Sequence, residues 1–192
     1  MNNEDMQGYG IPDMRSSSLT DKGIYYFAGE FNQGSVKDCI TWILDANFQD
    51  KTQYEALTLI ISSYGGDLFS AFALIDVMRG SAIPVRTIGL GIIASAGLMT
   101  FIAGEKGHRI ITPNTSILSH QWSAGTYGKE HELMASQKQF DLTTKRMISH
   151  YKKCTGLTDK QIRAKLLPAQ DVWLSGEEAK EYGLADQVRS LR

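Results

Sequence analysis

Residues 56–90 read ALTLIISSYGGDLFSAFALIDVMRGSAIPVRTIGL, and their pattern decides the fold. Ala56 to Ile61 is a continuous apolar run of the kind buried in a parallel sheet. Tyr64-Gly65-Gly66-Asp67 marks a turn, with Asp67 expected in the first turn of the helix that follows. Leu68 to Met78 is apolar nearly all round, which predicts a buried helix. Ile83-Pro84 breaks it, and Val85 to Leu90 returns as a strand. Strand, crossover helix and strand form a right-handed β-α-β unit, which places the loops at Gly65-Gly66 and at Gly91 to Ser95 on the same carboxyl edge of the sheet.

The second of those loops belongs to the stretch Gly89 to Ala103, GLGIIASAGLMTFIA, where Ser95 stands alone among small residues. A core helix has no need of such a small-residue tract, so a backbone or a substrate is expected to approach closely there. Ser95 is therefore a candidate nucleophile, with a helix expected to follow it to Ala103. Two glycine-rich loops converging beside it can aim backbone N–H groups at an oxyanion, because glycine has no Cβ to obstruct the amide.

A serine hydroxyl needs a base, and the base needs an orienting carboxylate. Among the four histidines, His120 ends the apolar run Thr115 to His120, which reads as a short strand able to fix an imidazole. His131 and His150 lie in a polar segment with helical patterning and read as solvated side chains, and His108 reads as a turn residue. Asp171 opens the apolar run Asp171-Val172-Trp173-Leu174-Ser175 where a helix ends, although no spacing rule selects it over Asp159 or Asp141.

Outside these segments the chain continues in the same style. Ile24 to Ala28 reads as an aromatic-rich strand and Val36 to Phe48 as a helix with i, i+3, i+4 apolar spacing. His108 to Thr112 and Thr115 to His120 read as two short strands around Pro113-Asn114. Lys129 to Cys154 reads as a long polar helix, and Leu157 to Leu167 as a helix capped by Thr158. Ser175 with Glu178 is a capping box, which accounts for both without chemistry.

Composition excludes several classes. The chain has 192 residues, 42% hydrophobic and 21% charged, with a formal net charge of −1, which predicts one soluble domain with a substantial core and no attraction to nucleic acid. Cys39 and Cys154 cannot build a disulfide framework and have no metal-ligand spacing, so both are expected reduced. No metal or cofactor is expected. Residues 1–18 lack the apolar core of a signal peptide, and no run of about 18 apolar residues would span a bilayer. A cytoplasmic protein with no membrane association is expected.

Four segments, Ile61-Ser62-Ser63-Tyr64-Gly65-Gly66, Gly89 to Gly97, Pro113-Asn114 through Ser119-His120-Gln121, and Asp171 to Ser175 with Glu178-Ala179 and Tyr182 to Asp186, together resemble the proteolytic subunit of the Clp protease, ClpP. The likeness runs over about residues 19 to 189, in the family's order and close to its spacing. It implies an α/β fold of the crotonase/ClpP-like type, with repeated β-α-β units and a protruding handle helix and strand. Residues 1–18 would be a flexible segment, an axial loop or propeptide, and residues 19–192 the serine peptidase domain, with its handle at about 121–154.

By the same resemblance, Ser95 is the nucleophile, His120 the base and Asp171 its orienting partner, while Gly66 and Ala96 offer N–H groups to the oxyanion. Leu68 and Met147 would line an apolar S1 pocket. The implied partners are further copies of the chain in two stacked seven-membered rings, a separate Clp-type AAA+ unfoldase, and unfolded protein or peptide substrates. This sequence departs from the family pattern at Tyr64 and Trp122, where proline is usual, and at Ala96, where methionine is usual. An acyl-CoA enzyme of the crotonase type and a catalytically silent ring subunit are the alternative expectations.

Overall fold

The computed structural model describes residues 18–49 and 54–191. The expected N-terminal axial segment, residues 1–18, lies outside them except for Ser18.

The expected β-α-β unit is present, with longer strands. β2 (Leu57–Gly66), α2 (Leu68–Gly80) and β3 (Val85–Ala94) follow β1 (Ile24–Phe31) and α1 (Gln33–Asn47). β1, β2 and β3 are all parallel neighbours. β3 does not end at Leu90, as its sequence predicts, but runs on to Ala94 through Gly91, whose φ of 63° bends the strand without terminating it. α1 begins at Asn32, whose side chain accepts the amides of Gly34 and Ser35 in a capping box. Asp67 proves to be the N-cap of α2 and not a residue of its first turn, since its carboxylate accepts the Ser70 amide and hydroxyl.

The bend lets β3 use its second edge twice. Thr87, Ile88 and Gly89 pair with β4 (Arg109–Ile111), whereas Ile92, Ile93 and Ala94 pair with β5 (Ser116–Ser119). Both pairings are parallel, so the two strands flanking Pro113-Asn114 do not form a hairpin. β4 continues the sheet to β7 (Gln187–Val188), and β5 pairs antiparallel with β6 (Val172–Leu174).

α3 (Ala96–Ile102) enters the middle of the core, and all seven of its residues are buried. Leu98, Met99, Phe101 and Ile102 pack against Leu59, Ile61 and Ile93 from the sheet and Leu74 and Ile75 from α2, in one cluster. Each such side chain contributes about 1.5–3 kcal/mol on burial, so the segment after Ser95 is held at the centre of the molecule.

The remaining helices are α4 (Glu130–Thr155), α5 (Asp159–Lys165) and α6 (Gly176–Glu181). The C-terminal half of α4 buries Thr143, Met147, Ile148, His150 and Tyr151, whereas its N-terminal half projects with Leu133 and Met134 exposed. Residues 121–129 carry no strand. Arg109, 2% exposed, anchors the C-terminal segment: its guanidinium donates to both carboxylate oxygens of Asp186 and to the Cys154 carbonyl. Burial pushes the Asp186 carboxyl up, but the Arg109 guanidinium and the amides of Arg109 and Gly107 outweigh it and hold the group below the usual carboxylate range. No helix among the described residues is long and apolar enough to cross a membrane.

Candidate active site

Ser95 sits between β3 and α3 as the N-cap of the helix, with φ 55° and ψ −122°. It is the one described residue other than glycine with a positive φ, a conformation that costs about 1–3 kcal/mol and persists only where surrounding packing enforces it. Here the Ser95 amide donates to the Leu118 carbonyl of β5, and its carbonyl accepts the Met99 amide. The result is a sharp strand-to-helix turn that leaves the serine half-buried between two buried flanks.

The turn at the end of β2 closes on it. A Cβ on Gly65 would stand 2.7 Å from the Ser95 Cβ and 3.1 Å from the Ala96 nitrogen. Gly65, at φ 104°, is therefore demanded both by backbone conformation and by the closeness of the Ser95 turn. Ala96 opens α3, so its amide has no acceptor within the helix. The two glycine-rich segments converge as the sequence predicts.

His120 follows the last residue of β5 and is bracketed by anchored neighbours. The Ser119 hydroxyl donates to the Leu166 carbonyl and shares a 3.0 Å hydrogen bond with the Tyr151 hydroxyl, while the Gln121 side-chain Nε2 donates to the Leu167 carbonyl. In the antiparallel ladder Ser119 faces Val172, so one step further His120 faces Asp171. His120 Nδ1 lies 3.4 Å from Asp171 Oδ1. The other ring nitrogen, Nε2, is buried and has no hydrogen-bond partner among the described residues.

Ser95 and His120 both line a cavity of about 300 Å³, together with Gly66, Asp67, Leu68, Phe69 and Met147. Ser95 and His120 are thus brought to one pocket with Asp171 behind the imidazole, although no hydrogen bond joins the hydroxyl to Nε2 in the single chain. Leu68 and Met147 supply apolar walls, joined by Met99 and Thr143, neither of which is among the residues expected from sequence. Thr143 lies one helical turn before Met147 on α4, so the 3.6-residue period carries the signal for it. Trp122 lines the same cavity, donating its indole N–H to the Thr144 hydroxyl and meeting Phe140 edge-on at 5.2 Å.

His150 departs from its expected place. It is 4% exposed, not solvated as the polar pattern around it predicts, because it lies on the buried face of α4. His131 is exposed, as expected. Asp159, an alternative to Asp171, pairs with Lys152 on the surface, and Asp141 accepts from Gln137. Cys39 and Cys154 are both free. Among the described residues no group of three or more His, Cys, Asp or Glu side chains could hold a metal ion.

A family model described as Clp protease matches residues 11–192. The chain belongs to the Clp protease family. The match reaches beyond residues 19 to 189 at both ends. The chain is 31% identical over 173 residues to ATP-dependent Clp protease proteolytic subunit 2 of Corynebacterium glutamicum, covering 90% of this chain and 84% of the relative. It is 30% identical over 170 residues to proteolytic subunit 1 of Corynebacterium jeikeium, covering 88% of each chain. With proteolytic subunit 2 of Corynebacterium diphtheriae it shares 29% identity over 181 residues, covering 94% of this chain and 89% of the relative. Membership of the Clp protease family makes the chain a serine-type peptidase, and neither the acyl-CoA enzyme nor the silent scaffold is favoured.

Proposed function

We propose that the chain is the proteolytic subunit of a Clp-type protease, a serine endopeptidase in which Ser95, His120 and Asp171 form the catalytic triad. One observation carries the reading: a buried imidazole nitrogen with no partner among the described residues shares a pocket with a serine held in a strained strand-to-helix turn, and a carboxylate stands against the other ring nitrogen.

In the reaction, His120 Nε2 takes the Ser95 proton as Oγ attacks the scissile carbonyl. Asp171 accepts a hydrogen bond from Nδ1–H, which fixes the tautomer and steadies the imidazolium. The carbonyl oxygen gains negative charge and is received by the Gly66 and Ala96 amides, a single donor of this kind being worth roughly 2.7–4 kcal/mol. His120 then returns the proton to the leaving amine, and water repeats the sequence on the acyl-enzyme. Leu68 and Met147 in the cavity wall favour cleavage after apolar residues.

The His120–Asp171 distance of 3.4 Å and the unmade Ser95–His120 bond fit a site that tightens on binding substrate and on assembly. The assembly we propose is two stacked seven-membered rings enclosing the sites, with residues 121–154 as the handle between rings. The projecting half of α4 and the exposed Tyr127, Leu133 and Met134 support that placement. The sequence contains no Gly-x-x-x-x-Gly-Lys-[Ser/Thr] phosphate loop, so ATP-driven unfolding falls to a separate AAA+ ring acting on unfolded protein substrates. A cytoplasmic location follows from the same reading.

The test is hydrolysis of fluorogenic peptides with an apolar residue before the scissile bond. Activity in the assembled wild-type protein that vanishes in Ser95→Ala supports the proposal, and activity unchanged in Ser95→Ala refutes it.

A further inference from the structure

α3 is short and wholly buried, so the carbonyls of its last turn cannot turn outward to water. The Ala103 amide, which would close the final turn onto Met99, bonds instead to the carbonyls of Thr100 and Phe101. The Met99 carbonyl thus lacks its usual donor four residues on, a costly loss for an acceptor in the core. His150 of α4 fills the gap, with its Nε2 2.8 Å from the Met99 oxygen.

The other side of the imidazole fixes its state. Arg79, in the last turn of α2, places Nη2 2.8 Å from His150 Nδ1. A guanidinium can only donate, so Nδ1 is the bare nitrogen, Nε2 carries the hydrogen, and the ring is a neutral donor to Met99. The other groups facing the ring agree with this state. Arg79 Nη2 also reaches Cys154 Sγ at 3.4 Å, Cys154 Sγ is 3.9 Å from each ring nitrogen, Lys153 adds a further positive charge, and the Tyr151 ring stands edge-on. Burial first, then Arg79, pushes the His150 pKa down to about 4, so the ring stays neutral at physiological pH.

The Met99 amide in turn donates to the Ser95 carbonyl at 3.0 Å. Hydrogen bonds therefore run from Arg79 through His150 and the Met99 residue to the backbone of Ser95. The three helices meeting at the imidazole also wall the cavity, through Leu68 of α2, Met99 of α3 and Met147 of α4, and Met147 lies one turn before His150.

We propose that His150 is a positioning residue for the Ser95 chemistry: its Nε2–H, oriented by Arg79, closes the helix that carries the nucleophile and holds Ser95 in its positive-φ turn. The inference rests on the reading of Ser95 as nucleophile. His150 touches no substrate; it acts through the α3 backbone.

The experiment compares His150→Gln with His150→Asn in the assembled full-length chain. Glutamine carries an amide N–H at about the reach of Nε2, whereas asparagine is equally polar but one bond too short. The readouts are the rate of fluorophosphonate labelling of Ser95 and the separate kcat and KM for a peptide. His150→Asn is expected to lower both the labelling rate and kcat at least about tenfold with KM within about twofold, and His150→Gln to stay within about threefold of wild type. Equal rates in the two variants, fast or slow, overturn the inference, as does a faster Asn variant. In each of those cases, labelling of wild type that is absent in Ser95→Ala leaves the peptidase reading standing. A wild-type chain that does not label removes that reading and this inference together.

Discussion

Ser95 and His150 are both tightly held by their surroundings, and the sequence shows them unequally. Ser95 is legible because its neighbours are small, and the structure gives the reason: the Gly65 turn stands within van der Waals contact of it. Gly65→Ala should therefore act on both shape and backbone, placing a Cβ 2.7 Å from that of Ser95 at a φ of 104°. Peptide hydrolysis is expected to fall by about 10²-fold or more, as a misplaced reacting group can cause, while the protein still assembles. Near-wild-type kcat in a correctly assembled Gly65→Ala protein would contradict the placement. His150 is not legible, because its partner Arg79 lies 71 positions away and the residues around it on α4 are polar. Its state predicts a pH dependence. The folded chain keeps His150 neutral down to about pH 4, whereas the unfolded chain takes up a proton near 6.5. The unfolded state thus binds more protons between those values, and stability should decline as pH falls through that window, by up to about 3 kcal/mol, and stay level above it. Denaturant melts of wild type and His150→Gln across that range check the sign: the slope should flatten in the variant. Asp186, whose pKa is lowered, adds a loss of the same direction at more acidic pH.

At the scale of elements, the site is a product of register. β5 and β6 pair so that Ser119 faces Val172, which leaves the next residues, His120 and Asp171, opposite each other where the ladder ends. Neither strand exceeds four residues, so no period-2 pattern was long enough to reveal that pairing, and Asp171 could be chosen from sequence only by resemblance. The β2-α2-β3 unit was legible from its apolar runs, although Gly91 reads as the end of a strand and proves to be a bend within one. Asp171→Asn is expected to leave the ladder intact, since the side chain is more than half exposed. It should lower kcat by about 10³ to 10⁴ through the wrong imidazole tautomer, with little change in melting temperature. An unchanged kcat would remove Asp171 from the site. Trp122 ties the segment after His120 to α4 through Thr144 and Phe140. Trp122→Ala should loosen one wall of the cavity and raise KM for apolar-P1 peptides more than it lowers kcat, which steady-state kinetics on matched peptides would resolve.

The whole molecule places the proposed site at the carboxyl edge of a mostly parallel sheet, and a 26-residue helix runs from it. That α4 is long was readable from its polar, helical pattern; which half is buried was not, because Thr143 and His150 on its inner face look like surface residues in sequence. Half of such a helix contributes little to a monomer's core, and its exposed Met134 and Leu133 fit contact with further copies. Met134→Asp with Leu133→Asp is expected to give smaller particles by sedimentation and to lose peptide hydrolysis in proportion. Full-size assemblies from that double variant would place the contact elsewhere. Ser95 as the nucleophile of a serine peptidase is the central proposal, and the direct measurement is mass mapping of a fluorophosphonate adduct on the assembled protein. The expected result is a single adduct on the peptide containing Ser95, absent in Ser95→Ala and formed far more slowly in His120→Ala. An unmodified Ser95, or an adduct that survives Ser95→Ala, would contradict it.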